Sequence, residues 1–177
     1  WAAHTDNAFA LDSSSAQTQQ QAVRREISEV PGAYQLLNVF SEQECRKLLK
    51  TSEELGYLKD AAVSLPREVR HNDNVTIVVD DVTERLIWQR IEVLTQQSLA
   101  IFDGKKPLGI NTRFRFYRYQ EGDYFKYHID GDWPGSKVEG DTLIQNAYSD
   151  RYSKMTFLIL LNDNFEGGET QFLVNAD

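Results

Sequence analysis

Cysteine is nearly absent from the sequence. The 177 residues include a single cysteine, Cys45, which excludes an internal disulfide framework. Cys45 falls on the apolar side of a predicted helix, and this favours a small core residue over a redox centre. With 41% hydrophobic residues, the chain has enough apolar sequence for one domain with a real core, and its length argues against two domains.

Long hydrophobic runs are missing as well. No apolar stretch approaches the roughly 20 residues of a membrane-spanning helix, and no apolar segment follows a basic start, so we expect neither a membrane span nor a signal peptide. The chain begins with Trp1 rather than methionine, which leaves a processed or exported origin open. We expect a soluble protein, with the cytoplasm favoured and the secretory lumen left open as its compartment.

Positive charge is scarce relative to negative charge. The sequence has 19 lysine and arginine residues against 27 aspartate and glutamate residues, a net charge of -8, and its pI is near 4.9. Nucleic-acid phosphates require a basic footprint. We therefore expect no nucleic-acid partner, although a local basic patch remains open.

The first 30 residues have little apolar periodicity. Serines at positions 13–15 and the glutamine-rich run 17–21 form polar, low-complexity sequence, which buries too little surface to offset its ordering entropy. The sequence predicts a flexible arm over residues 1–30, with a short helix over residues 22–30 as the ordered alternative. Residues 31–177 then form the domain.

Two amphipathic helices are predicted after the arm. A strand over residues 33–40 leads to Ser41 and Glu44, whose spacing is that of a capping box, and Gly56 ends the helix that follows. A second β-branched strand covers residues 75–79.

The second helix follows this strand. Asp81 and Glu84 are its predicted cap, and the apolar spacing continues toward Gly104. Between the two helices, residues 59–74 lack a clear period, so a loop is expected there. Both helices should cover one face of a sheet and support it.

Residues 112–120 alternate as a half-buried strand does. Successive side chains of a strand point to opposite faces. One face then carries Arg113, Arg115, Tyr117 and Tyr119, and the other carries Phe114, Phe116 and Arg118. The tyrosine face is a candidate lining for a site, whereas aromatic alternation alone is equally typical of a packed strand.

The pair His128 and Asp130 is the candidate metal site. Gly122 makes a turn, and the second strand after it ends in these two side chains, which alternation places on the same face. An imidazole and a carboxylate are two of the three ligands in the triad that binds non-haem iron. The His-x-Asp spacing by itself is weak, because short chains contain it by chance.

The C-terminal part is expected to combine a loop with two strands. Residues 131–153 are irregular and long enough for a lid or binding loop. Residues 154–162 are apolar on both faces, which predicts a central strand buried on both sides. Gly167 and Gly168 make a tight corner before the strand 169–174.

Several ordered motifs together resemble one enzyme family. Tyr119, Gly122, His128 and Asp130, followed by Leu-Leu-Asn-Asp-Asn-Phe-Glu-Gly-Gly-Glu-Thr at 160–170, are similar to the iron-binding core of prolyl 4-hydroxylase-like dioxygenases dependent on Fe(II) and 2-oxoglutarate. Residues 38–57 and 70–90 resemble the helical segments before that core. The resemblance covers roughly residues 34 to 174, and ordered motifs are more specific than any one alone.

The resemblance implies an α+β, mainly β fold and an oxidative activity. The fold is a double-stranded β-helix, the cupin-like jelly roll, with supporting N-terminal helices. The cofactors are Fe(II), 2-oxoglutarate and O2, with ascorbate as a further candidate. His128 and Asp130 would be the catalytic metal ligands, and Tyr119, Thr156 and Leu160 would lie at the 2-oxoglutarate site. Succinate and CO2 would be the co-products.

The substrate is less narrowly implied. The family hydroxylates protein side chains, most characteristically peptidyl proline, and a small-molecule substrate stays open. Residues on the tyrosine face and in or beside the loop are the candidate substrate contacts. They are Arg115, Tyr117, Tyr127 and Trp133. Each has an ordinary alternative as sheet packing or as solvated surface.

One part of the family pattern is not found in the sequence. The family continues to a second metal-binding histidine and to a basic partner for 2-oxoglutarate, and neither follows Asp177. We therefore predict that residues 31–177 are the N-terminal part of a dioxygenase domain, whose missing C-terminal segment or second fragment completes the site. The alternative is a non-catalytic jelly-roll binding module with a vestigial metal site.

Overall fold

Over the residues that the structure describes, the protein is a mixed α/β structure of two helices and short antiparallel strands. A computed structural model describes residues 1–13, 21–59, 66, 68–97, 102 and 104–174. In chain order the elements are β1 (Val23–Glu26), β2 (Tyr34–Leu37), α1 (Glu42–Leu55), β3 (Leu58–Lys59), β4 (Arg70–His71), β5 (Asp73–Val78), α2 (Asp81–Gln96), β6 (Arg113–Arg118), β7 (Tyr124–Phe125), β8 (Lys137–Glu139) and β9 (Thr142–Ile144). None of the described helices has the length and apolarity to cross a bilayer.

The central sheet has the order β3-β5-β6, and its two faces differ in chemistry. Strands β5 and β6 pair antiparallel, with Val75 opposite Phe116 and Ile77 opposite Phe114. These side chains lie on the core side, so the alternation predicted for β6 is confirmed. The opposite face carries Arg113, Arg115 and Tyr117 of β6.

The core lies between the apolar sheet face, the helices and the N-terminal segment. It consists of Ala3, Phe9, Leu11, Leu48, Val75, Ile77, Val79, Ile87 and Phe116. Leu48 comes from α1 and Ile87 from α2, so the helices support the sheet as predicted. The sheet therefore separates the polar side chains on its other face from this core.

Local signals located the helix starts to within one residue. The capping box of α1 forms as predicted, with the Ser41 hydroxyl accepting from the Glu44 amide and the Glu44 carboxylate accepting from the Ser41 amide. For α2 the cap is Asp80, one residue before the predicted Asp81. Asp80 is preferred because its carboxylate also accepts hydrogen bonds from the N-terminal segment. The helix ends at Gln96, earlier than expected.

The expectation of a flexible or partly helical arm over residues 1–30 differs from the structure. Phe9 is 1% exposed and belongs to the core, and the Ala3 amide donates to the Val78 carbonyl at 2.8 Å. Residues 22–30 contain strand β1 instead of a helix, because Val23–Glu26 pairs with β2 across the turn at Gly32. Residues 14–20, most of the serine and glutamine run, lie outside the described chain.

Two further strand pairs flank the central sheet. Strands β4 and β7 pair antiparallel, and so do β8 and β9. The β8–β9 hairpin lies in the predicted irregular segment 131–153, which is therefore partly regular. In the described residues the four sheets remain separate and do not close into a barrel.

The central buried strand predicted for residues 154–162 is not present. The described chain makes no strand ladder with this segment, and Leu158 and Leu160 are exposed. A strand needs a neighbour for its backbone hydrogen bonds, and apolar composition alone does not provide one. Leu161 does pack against the core.

Candidate metal centre

His128 and Asp130 meet just beyond the end of β7. Strand β7 ends at Phe125, so the two residues follow the strand and are not part of it, contrary to the expected strand end. Their side chains still converge, with the His128 Nε2 atom 3.3 Å from the Asp130 Oδ1 atom. Both side chains are partly exposed, and an ion pair in this setting contributes little to stability.

The other polar atom of each side chain is held by a neighbour. The His128 Nδ1 atom lies 2.7 Å from the Lys126 carbonyl oxygen. A carbonyl can only accept, so Nδ1 donates to it, and Nε2 is the ring nitrogen that faces Asp130. The Thr156 hydroxyl donates to the Asp130 Oδ2 atom, leaving Oδ1 directed at His128. The His128 ring also stacks on Phe125 with centroids 3.7 Å apart.

This separation suits two ligands of one ion. Two ligand atoms that each lie about 2.1 Å from a metal are about 3.0 Å apart at a right angle and about 3.4 Å apart at a tetrahedral angle. The 3.3 Å between Nε2 and Oδ1 lies within that range. Within the described residues no group of three or more metal-binding side chains is present, so the described residues here supply two ligands.

Tyr119 lies on the predicted face, just beyond the end of β6. Its ring centroid is 6.4 Å from that of Tyr117. Burial raises the pKa of the Tyr119 phenol. The hydroxyl therefore stays protonated at neutral pH and can donate a hydrogen bond.

The substrate candidates on β6 form one contact chain with the metal pair. The Arg70 guanidinium lies 5.5 Å from the centroids of both the Phe125 and Tyr117 rings. The Tyr117 hydroxyl accepts from Arg70 Nη1 at 3.4 Å and from Arg115 Nη1 at 3.3 Å. Arg115 in turn lies 5.7 Å from the Trp133 ring. The chain thus connects His128, through Phe125, to Trp133.

Two of the predicted site residues are directed elsewhere. Leu160 is 72% exposed and belongs to a segment without a strand ladder. The Tyr127 hydroxyl donates to the Gln171 side-chain oxygen at 2.6 Å. Of the predicted 2-oxoglutarate contacts, Thr156 is the one that touches the metal pair.

Sequence reasoning missed two members of the contact chain, Phe125 and Arg70. Phe125 could have been found, because it lies three residues before His128 in the same predicted ribbon. Arg70 precedes Tyr117 by 47 residues, and the pairings of β4 with β7 and of β5 with β6 bring it there. No local signal identifies a residue of that kind.

His71 takes a different partner. Its Nδ1 atom lies 2.6 Å from the Asp123 Oδ1 atom, and it lines a shallow cleft of about 370 Å³ together with Glu68, Gly122 and Tyr124. Neither member of the metal pair lines this cleft.

Comparison of the chain with protein-family models, with curated proteins and with solved structures finds no match in any of the three.

Proposed function

We propose that the protein is an Fe(II)- and 2-oxoglutarate-dependent dioxygenase that hydroxylates a protein side chain, with peptidyl proline as the favoured target. One observation carries the proposal. Two atoms able to bind a metal, His128 Nε2 and Asp130 Oδ1, face each other at 3.3 Å, while the other polar atom of each side chain is anchored by Lys126 or Thr156. Such anchoring orients metal ligands and is typical of metal sites.

The donor set fits a ferrous ion. An imidazole and one carboxylate are two members of the facial triad of non-haem iron oxygenases. Bound there, Fe(II) would supply the redox chemistry that joins dioxygen to 2-oxoglutarate decarboxylation and substrate hydroxylation. The residues themselves hold the ion and set its orientation.

The neighbouring residues would position the two organic partners. A tyrosine hydroxyl is protonated at neutral pH, and burial raises the pKa of Tyr119 further, so this hydroxyl can donate to a carboxylate of 2-oxoglutarate. The β6 face, with Tyr117, Arg115 and Trp133, would form the wall against which the substrate lies. Ascorbate is an accessory reductant under the same proposal.

The two other histidines of the chain have partners of their own, because His71 bonds to Asp123 and His4 lies 3.8 Å from Asp141. Within the described residues the site therefore supplies two ligands, His128 and Asp130.

The proposal is tested by anaerobic titration of the full-length protein with Fe(II) and 2-oxoglutarate. We expect a charge-transfer absorption band, and turnover of 2-oxoglutarate to succinate once oxygen is admitted. His128→Ala and Asp130→Ala should remove both signals, because each deletes a ligand. Thr156→Val should weaken Fe(II) binding by about 10- to 100-fold, since it releases the Asp130 carboxylate.

Thr142→Val is the matched control. Thr142 is an exposed threonine of β9, so this variant should bind Fe(II) like the unmodified protein. Turnover that survives His128→Ala and Asp130→Ala would remove both residues from the metal site. A protein that gives neither band nor turnover would instead be the non-catalytic binding module.

A further inference from the structure

A basic cluster lies on the polar face of the central sheet. Arg113 and Arg115 project from β6, and Arg70 reaches the same place from β4. The Trp133 ring lies 4.6 Å from the Arg113 guanidinium and 5.7 Å from that of Arg115. Tyr117 lies between Arg70 and Arg115. Three cations thus gather in a protein whose net charge is -8.

These three arginines have no carboxylate partner in the described part of the chain. Other arginines do, for example Arg118 with Asp73 at 2.7 Å and Arg90 with Glu44 at 2.7 Å. Burial, and then repulsion from Arg115, lowers the pKa of Arg113. Like charges held together without a counter-ion are destabilising, so the arrangement calls for an anion.

Arg115 carries the clearest sign of a missing acceptor. Its Nε and Nη2 atoms are buried, and no hydrogen-bond acceptor for them lies among the described residues. Buried N–H groups without an acceptor cost free energy, and charged ones cost more. Arg70, which belongs to the same cluster, is also buried, with 8% of its surface exposed.

The aromatic contacts leave the hydrogen-bonding edges of the guanidinium groups available. A guanidinium that stacks by its face on Trp133 keeps its N–H edge free for a carboxylate. Tyr117 already accepts from Arg70 and Arg115, so its own hydroxyl proton remains to be donated. Planar carboxylates match such an array because they accept two parallel N–H bonds.

We propose that Arg70, Arg113 and Arg115 form a binding site for a carboxylate of the substrate, so that the protein acts on an acidic peptide. The contact through Phe125 places this site next to His128. The assignment of the bound carboxylate to a substrate rests on the proposed function. Binding of the carboxylate itself needs neither iron nor turnover.

The test measures peptide binding to the full-length protein without metal, with fluorescence anisotropy as the readout. The probe is a fluorescein-labelled peptide in which glutamates flank one proline. The control peptide has glutamines in place of the glutamates. We expect the glutamate peptide to bind at least about tenfold more tightly. Arg113→Met and Arg115→Met should each remove most of that difference.

Arg118→Met is the control from the same strand. Arg118 points to the opposite side of β6 and pairs with Asp73, so its loss should leave the preference for glutamate unchanged. Unlabelled 2-oxoglutarate, added as a competitor without metal, should not displace the peptide. Circular dichroism of each variant shows whether it is folded, and Arg115→Lys supplies a second, charge-retaining variant that should bind with intermediate affinity.

Three results would overturn the proposal. They are equal affinity for the two peptides, an equal loss in Arg118→Met, or arginine-dependent displacement by 2-oxoglutarate, which would assign the carboxylate to the co-substrate. Failure of the iron proposal looks different. In that case the metal titration gives no charge-transfer band, while the preference for the glutamate peptide and its dependence on Arg113 and Arg115 persist. The His128→Ala variant then binds the peptide with unchanged affinity.

Discussion

Glu44 shows how one residue connects three parts of the molecule. Its side chain is 0% exposed, yet each carboxylate oxygen accepts more than one hydrogen bond. Oε1 accepts from Arg90 Nη2 at 2.7 Å and from the Asp12 amide at 2.9 Å. Oε2 accepts from Arg90 Nη1 at 3.1 Å and from the Ser41 amide at 2.9 Å. One carboxylate therefore joins α1, α2 and the N-terminal segment.

The surroundings of Glu44 predict a pH dependence of stability. Burial alone would raise its pKa, but hydrogen bonds from Arg90, Ser41 and Asp12 lower the pKa to about 2, from a usual 4.5. A lowered pKa in the folded state stabilises the protein above pH 4.5, and this contribution is lost as the pH falls from 4.5 toward 2. At about 1.4 kcal/mol for each pKa unit, the contribution is on the order of 3 kcal/mol.

Glu44→Gln tests this at the residue scale. The variant should lose on the order of 3 kcal/mol at pH 7, because it leaves the Arg90 cation without its counter-ion. It should also lose part of the acid dependence between pH 4.5 and 2. Urea unfolding across that pH range measures both. Glu53→Gln, an exposed change on the same helix, should alter neither quantity. If the plot of unfolding free energy against pH for Glu44→Gln ran parallel to that of the unmodified protein, Glu44 would not be the source of the acid dependence.

At the scale of elements, Asp80 couples a helix to a distant segment. Its Oδ1 atom accepts from the Thr83 amide at 2.8 Å and from the Asn7 amide at 2.9 Å. Its Oδ2 atom accepts from the Thr83 hydroxyl at 2.6 Å and from the Ala8 amide at 3.0 Å. The α2 cap is therefore also the anchor of residues 7 and 8.

Asp80→Ala should cost about 3 kcal/mol of unfolding free energy. Loss of a helix cap accounts for about 1–2 kcal/mol, and the freed Asn7 amide accounts for about 1 kcal/mol more, whereas the Ala8 amide keeps the Thr83 hydroxyl as an acceptor. Asp81→Ala, at the position that the sequence pattern favours as the cap, should cost less than about 1 kcal/mol, since it removes only a charge near the helix start. Equal losses in chemical denaturation of the two variants would show that Asp80 does not anchor the segment.

At the scale of the whole molecule, the N-terminal segment closes one side of the core. The Phe9 ring meets Phe114 and Phe116 edge to face, with centroids 5.6 and 5.8 Å apart. The apolar face of the sheet is thus covered by residues from the start of the chain as well as by the helices. The polar face, with its arginines, stays available for the site.

Phe9→Ala should cost about 3–5 kcal/mol, the usual loss for removing a buried aromatic ring. A flexible arm would instead lose almost nothing, so the measurement separates the two descriptions of this segment. Thermal or urea unfolding provides the value. The control is Val93→Ala, a truncation at a residue that is 73% exposed. Its free energy of unfolding should stay within about 0.5 kcal/mol of that of the unmodified protein.

Sequence alone determined the features that depend on neighbours within a turn or a strand. The capping box of Ser41 and Glu44 and the two faces of β6 are of this kind, because backbone periodicity places residues two to four apart in known directions. His128 and Asp130 also meet, but they lie beyond the strand on which their alternation was predicted. The sequence pattern also separated the apolar face of β6 from the polar one.

Tertiary structure decided which distant segments meet. It brought Arg90 to Glu44, Arg70 to Tyr117 and Phe9 into the core, and it left residues 154–162 without a strand partner. Apolar composition favours burial but does not say against which surface. The surface is set by hydrogen-bond partners and by shape, which come from residues 40 or more positions away in the chain. A strand is stable only beside a neighbouring strand, and a buried charge only beside its counter-ion.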